Sequence, residues 1–191
     1  MSVGRSAGAL MLIGCLLAGL SVVVALTGGA AGLGSASIGG ILVDGYLLCI
    51  GLGLVGVAAA AVPIVHHAAT RAGFGIAGIG LVVIAIGSIV SLTAADPLAS
   101  PAIVLMLLGL LLAVAGIVIG GLSMIRDRGV DRLIGFAMLV GVVLPPIAIA
   151  LGPANLPGTA VLYSAGALLI LGGLMAIGVI AVRSEDAVEA S

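Results

Sequence analysis

The sequence predicts an all-α polytopic membrane protein, a bundle of six transmembrane helices arranged as three hairpin repeats with cytoplasmic N and C termini. Its 191 residues are 63% hydrophobic and 7% charged, with a mean hydropathy of +1.51. A soluble globular domain is roughly 45–50% apolar and about 25% charged. Long apolar stretches recur along the chain, and the six basic residues, all arginine, flank alternate stretches.

Six apolar stretches are long enough to cross a bilayer, whose hydrocarbon core requires about 20 helical residues. They cover residues 7–26, 38–65, 72–93, 102–125, 133–151 and 159–182. The first, third and fifth linkers between them contain glycine or proline, which are typical of turns. A β-barrel would need alternating segments of about ten residues, a pattern that the sequence lacks. We therefore expect a transmembrane domain over residues 1–183 and a short, acidic, disordered cytoplasmic tail over 184–191.

The positions of the arginines predict the orientation. They precede the first stretch, lie between the second and third and between the fourth and fifth, and follow the sixth: Arg5, Arg71, Arg126, Arg128, Arg132 and Arg183. The other three linkers contain no arginine. Because short arginine-rich loops stay on the cytoplasmic side, both termini are expected there, in the cell membrane.

The four aromatic residues fit the same orientation as a sparse interfacial belt. Phe74 and Phe136 lie at the arginine-flanked ends of their stretches, and Tyr46 and Tyr163 lie near the opposite ends.

The first stretch has an alternative interpretation as a secretory signal peptide. Arg5, the apolar run and Ser35-Ala36-Ser37 resemble a signal sequence with a small-residue cleavage site. The run of about 20 residues exceeds the usual apolar region of about 7–15 residues, which favours a retained membrane helix.

Ungapped spacings of arginine and glycine suggest an internal repeat. In the odd-numbered stretches a glycine follows an arginine by nine positions, in the pairs Arg5 and Gly14, Arg71 and Gly80, and Arg132 and Gly141. In the even-numbered stretches small residues lie 17 and 10 positions before a polar residue, as Cys49 and Gly56 before His66, Gly109 and Gly116 before Arg126, and Gly166 and Gly173 before Arg183. Small residues allow membrane helices to approach closely. We therefore predict that equivalent residues form equivalent helix contacts in three hairpins.

This pattern resembles the HdeD-like family of small six-helix bacterial membrane proteins, most closely over residues 71–128. The residues that carry the likeness are Gly80, Gly87, the turn from Asp96 to Ser100, Gly109 and Gly116. The third hairpin follows more loosely, the linker 27–37 has no proline, and few of the family's aromatic residues are present. The resemblance implies membrane residence and a stress-related role, with no catalytic residues. Another small six-helix family would give the same pattern.

Asp44 is the acid that lies well inside an apolar stretch. An intramembrane carboxylate is costly and is a candidate for carrying a proton or a solute. The alternative is structural, because Asp44 lies about two turns from the helix N-terminus, where the helix dipole and interfacial water favour a carboxylate.

Two further residue pairs are candidates for the same site. His66 and His67 end the second stretch, and histidine titrates near neutral pH, although interfacial polar residues are the simpler interpretation. Pro145 and Pro146 lie within the fifth stretch, where we expect a kink or break because proline removes a backbone donor. Broken helices line sites in transporters, but a purely structural kink is also tolerated in membrane helices.

No phosphate-binding loop, zinc-protease motif or nucleophile elbow is present in the sequence, so we expect no enzyme, cofactor or metal site. The net charge of −1 offers no basic face for nucleic acid. We predict a structural, stress-related or accessory membrane protein. The alternative is a small solute or proton-linked transporter or channel that uses Asp44 and a helix broken at Pro145-Pro146. The expected partners are the lipid bilayer and a second copy that packs through Gly and Ala faces.

Overall fold

The computed structural model describes residues 3–28, 38–60, 62, 65, 67–93, 101–126, 130–151 and 157–189. In these residues the chain forms six helices: α1 (Val3–Gly28), α2 (Ile38–Ala60), α3 (Ala68–Thr93), α4 (Pro101–Ile125), α5 (Val130–Leu151) and α6 (Pro157–Glu189). Five of them, all but α5, contain segments long and apolar enough to cross a membrane. The protein is therefore a membrane-embedded helical bundle.

The helices form a closed ring. Each helix packs against the next along the chain, and α6 packs against α1. The contact between α3 and α4 is the most extensive, followed by that between α1 and α2. Neighbouring helices are antiparallel, since Gly8 near the start of α1 meets Gly178 near the end of α6. One end of the bundle, the arginine end, therefore carries Arg5, Arg71, Arg126, Arg132 and Arg183.

The predicted stretches match most helix bounds to within four residues, but α2 is shorter than expected. It ends at Ala60 rather than at residue 65. Two observations explain the early end. Pro63 follows closely in the sequence, and helices usually stop before the residue that precedes a proline. The Arg71 side chain also donates a hydrogen bond from Nε to the Ala58 carbonyl at 2.9 Å, which satisfies a carbonyl in the last turn.

The expected disorder of the acidic tail is wrong. Helix α6 continues to Glu189, through most of residues 184–191. No glycine or proline follows Gly178, and the segment includes alanine and glutamate, which favour helices. The helix therefore extends beyond the predicted span, which ends at residue 182.

Glycines mediate the contact inside each antiparallel pair. A Cβ atom added at Gly80 would meet Gly109, one added at Gly141 would meet Gly166, and one added at Gly14 would meet Cys49. In the predicted alignment these three pairs occupy the same positions. A second set matches as well: Gly56 faces Ala7, Gly116 faces Gly73 and Ala77, and Gly173 faces Ile134 and Met138.

Two of the contacts between successive pairs also correspond. Gly121 of α4 and Gly135 of α5 face each other, as do Gly178 of α6 and Gly8 of α1. Both pairs occupy the same positions in the alignment on the arginines. The contact between α6 and α1 that closes the ring therefore uses the same kind of glycine pair as the contact between α4 and α5.

Phe74 does not lie where the sequence suggested. Phe74 is 0% exposed and packs its ring against Gly120 of α4, whereas Phe136 is 61% exposed. Phe74 belongs to the core rather than to an interfacial belt, because the glycine opposite leaves room for its ring.

Candidate functional site

Asp44 lies near the start of α2. It precedes Gly51 by seven residues, which places both on one face of α2, and Gly51 packs against Gly78 and Val82 of α3. Asp44 is 7% exposed, and its Oδ1 atom has no hydrogen-bond partner within the described part of the chain. An unpartnered polar atom that is buried costs free energy, so the structure keeps Asp44 as a functional candidate.

His67 does not join Asp44 in one site. His66 lies outside the described residues. His67 is exposed at the start of α3, where its carbonyl accepts a hydrogen bond from the Arg71 backbone N–H at 3.0 Å. Asp44 precedes the end of α2 by 16 residues, which corresponds to about 24 Å along the helix axis. Asp44 and His67 therefore lie near opposite ends of the bundle.

Of the kink or break expected at the two prolines, the break is wrong, because α5 continues as a helix from Val130 to Leu151 with Pro145 and Pro146 inside it. The Pro145 ring packs against α6, since a Cβ atom at Gly166 would lie 2.8 Å from Pro145 Cδ. The ring order also places α5 opposite α2. Pro145 therefore contributes to a helix contact, and the structure does not bring the prolines and Asp44 together.

A cavity of about 260 Å³ lies in the middle of the ring. It was not predicted from the sequence. Five helices, all but α5, contribute to its wall. The wall consists of Ala18, Ser21, Tyr46, Leu47, Ile50, Leu54, Leu81, Ile117, Ala167, Ile170, Leu171 and Leu174. No local motif marks these residues, because inward-facing leucine and isoleucine look like lipid-facing ones in the sequence.

The polar groups around the cavity are few, and two have internal acceptors. The Ser21 hydroxyl donates to the Ala18 carbonyl at 2.7 Å. The Cys15 thiol, packed beside the core, points its Sγ at the Leu171 carbonyl at 3.9 Å. Among the residues whose positions are given, no group of three or more His, Cys, Asp or Glu is suited to hold a metal ion. The cavity is therefore mainly a hydrocarbon-lined space.

Comparisons with protein-family models, with curated proteins and with solved structures gave no match. The function must therefore be argued from the geometry of the ring, the cavity and Asp44.

Proposed function

We propose that this protein is a non-catalytic membrane protein with a structural, stress-related or accessory role. The observation that carries the proposal is the apolar wall of the central cavity. A catalytic site needs polar groups that converge on one pocket. A pathway for ions needs charged or carbonyl groups along its length. Leucine, isoleucine and alanine dominate this wall, so it favours neither activity.

We also propose that the ring consists of three repeated hairpins, as in the HdeD-like family that the sequence resembles. The matching glycine contacts support this: Gly80 with Gly109, Gly141 with Gly166, and Gly14 with Cys49. The repeated contact that closes the ring is a second support.

The proposed orientation places the arginine end in the cytoplasm, with the chain in the cell membrane. Its support is the clustering of five arginines at one end of the bundle. In a background with Cys15→Ala and Cys49→Ala, a single cysteine is introduced by Pro101→Cys or by Arg126→Cys, both exposed positions at opposite ends. An impermeant maleimide should label the Pro101→Cys variant on intact cells and the Arg126→Cys variant after permeabilisation. The reverse pattern would contradict the orientation.

We propose further that two copies associate through the small residues left open on the ring. A Cβ atom added at Gly19 or Gly172 would meet nothing within 4 Å among the described atoms. Close approach of a second copy at such positions is the usual packing of membrane helices.

Transport through Asp44 is the second candidate, and one observation favours it. The buried, unpartnered Oδ1 is a place where a proton or a cation would gain a partner. The continuous α5 helix weakens the part of that hypothesis that relied on a break at the prolines.

Flux measurements separate the two candidates. Purified protein is reconstituted into liposomes that contain a pH-sensitive dye, and a pH gradient is imposed. We expect the native protein and the Asp44→Asn variant to give the same proton leak as protein-free liposomes. A native flux that Asp44→Asn abolishes, with unchanged thermal stability, would establish transport and overturn the accessory role. Pro146→Ala is a suitable control, since it alters α5 on the opposite side of the ring.

A further inference from the structure

We infer that the central cavity binds the acyl chain of a membrane lipid. This inference goes beyond the accessory role and does not depend on whether Asp44 carries a proton. The wall of the cavity has the chemistry of a site for hydrocarbon. Ten of the twelve residues that line the cavity are alanine, leucine or isoleucine. The Ser21 hydroxyl proton is already donated to the Ala18 carbonyl. A wall of this kind favours hydrocarbon and offers little to a polar solute.

The volume of the cavity also fits part of an acyl chain. At about 260 Å³ the cavity exceeds the apolar cavity of about 150 Å³ that binds benzene in an engineered protein. Water is a poor occupant, because it would need two to four polar partners. If the cavity were empty, the side chains that surround it would lose dispersion contacts on one side. An occupant made of methylene groups restores those contacts without requiring hydrogen bonds.

The cavity also lies among the membrane-spanning segments. Every lining residue from α2, α3, α4 and α6 belongs to a segment that is apolar and long enough to cross a membrane. The cavity therefore lies at the depth of the hydrocarbon, where lipid acyl chains are the abundant apolar molecules. Ala167 both lines the cavity and is exposed, which makes the side beside α6 the expected entrance.

Photo-crosslinking tests the inference directly. The native protein is reconstituted in vesicles of phosphatidylethanolamine and phosphatidylglycerol that contain a small fraction of phosphatidylcholine with a diazirine in the middle of one acyl chain. After irradiation, adducts are located by mass spectrometry. Leu54 lines the cavity and is 0% exposed, whereas Leu168 is 69% exposed. We expect adducts on Leu54 as well as on Leu168. Adducts confined to residues on the outside of the ring, such as Leu168, would overturn the inference.

Two adjacent substitutions provide the matched control. Ala167→Phe fills the cavity and should reduce the yield of adducts on Leu54 at least tenfold, while adducts on Leu168 persist. Leu168→Phe changes the neighbouring outward-facing residue and should leave the Leu54 adducts unchanged. If Ala167→Phe folds and leaves them unchanged, the chain does not enter beside α6 and the inference fails.

If Ala167→Phe does not fold, the adducts on the native protein still decide whether an acyl chain occupies the cavity. A second probe, a free fatty acid with the same diazirine, distinguishes the source of the chain. Labelling of Leu54 by the fatty acid but not by the phospholipid would overturn the assignment to a membrane lipid.

Discussion

Gly116→Ala should destabilise the protein by about 3 kcal/mol or more, because its new methyl group would meet backbone rather than side chains. The added Cβ atom would overlap with the Ala77 backbone nitrogen and would lie 2.5 Å from the Gly73 carbonyl oxygen. Rotation of a side chain cannot relieve an overlap with backbone atoms. Helices α3 and α4 must therefore separate along the most extensive contact in the ring.

The measurement is unfolding by sodium dodecyl sulfate in dodecyl maltoside micelles, followed by the reactivity of the thiols. Cys15 and Cys49 are free and partly buried, so both should react faster as the ring opens. Gly75→Ala in α3 is the control, since its Cβ atom would lie 3.9 Å from Ala58 Cβ, an ordinary van der Waals distance. It should leave the transition unchanged or move it to higher detergent, because alanine favours helices over glycine. Equal effects of the two substitutions would contradict the packing of α3 against α4.

Gly120→Ala should fall between these two. Its Cβ atom would lie 2.8 Å from the Phe74 ring, and a side chain moves more easily than a helix backbone. A midpoint shift as large as that of Gly116→Ala would show that Phe74 is held as rigidly as the backbone.

The sequence predicted the helices and the glycine contacts inside each pair because both depend on local information. Apolar length is a property of a short segment, and small residues at matched spacings indicate where apolar helices can approach closely. Two local details were missed for a physical reason. The end of α2 depends partly on Arg71 reaching the Ala58 carbonyl, a contact between two helices. The helical tail depends on the weak helix propensities of its residues, and the apolar pattern does not include them.

The site was less predictable than the fold. The sequence placed Asp44 well inside an apolar stretch and left open that it reaches interfacial water, and the structure shows it 7% exposed. The sequence already placed His67 at the opposite end of the second stretch from Asp44, but it could not show that Pro145 packs on Gly166 within a continuous α5. The cavity depends on how five helices meet, and no single segment contains that information.

Gly8→Ala and Gly135→Ala should destabilise the protein by similar amounts, about 2 kcal/mol each, because they would produce the same overlap at two places in the ring. At Gly8 the new Cβ atom would lie 2.8 Å from the Gly178 carbonyl oxygen and 3.0 Å from Ala181 Cβ. At Gly135 it would lie 2.7 Å from the Gly121 carbonyl oxygen and 2.8 Å from Met124 Cβ.

The double variant sharpens this test. The two glycines belong to different interfaces and share no contact atom, so their effects should add to within about 0.5 kcal/mol in the same unfolding assay. Gly45→Ala, whose Cβ atom would lie 3.7 Å from Leu17 Cδ1, should have little effect. If Gly8→Ala costs almost nothing while Gly135→Ala is severe, α1 packs loosely against α6. The ring would then be open at the seam between the first and last helices, and the cavity behind it would be exposed to lipid along α1.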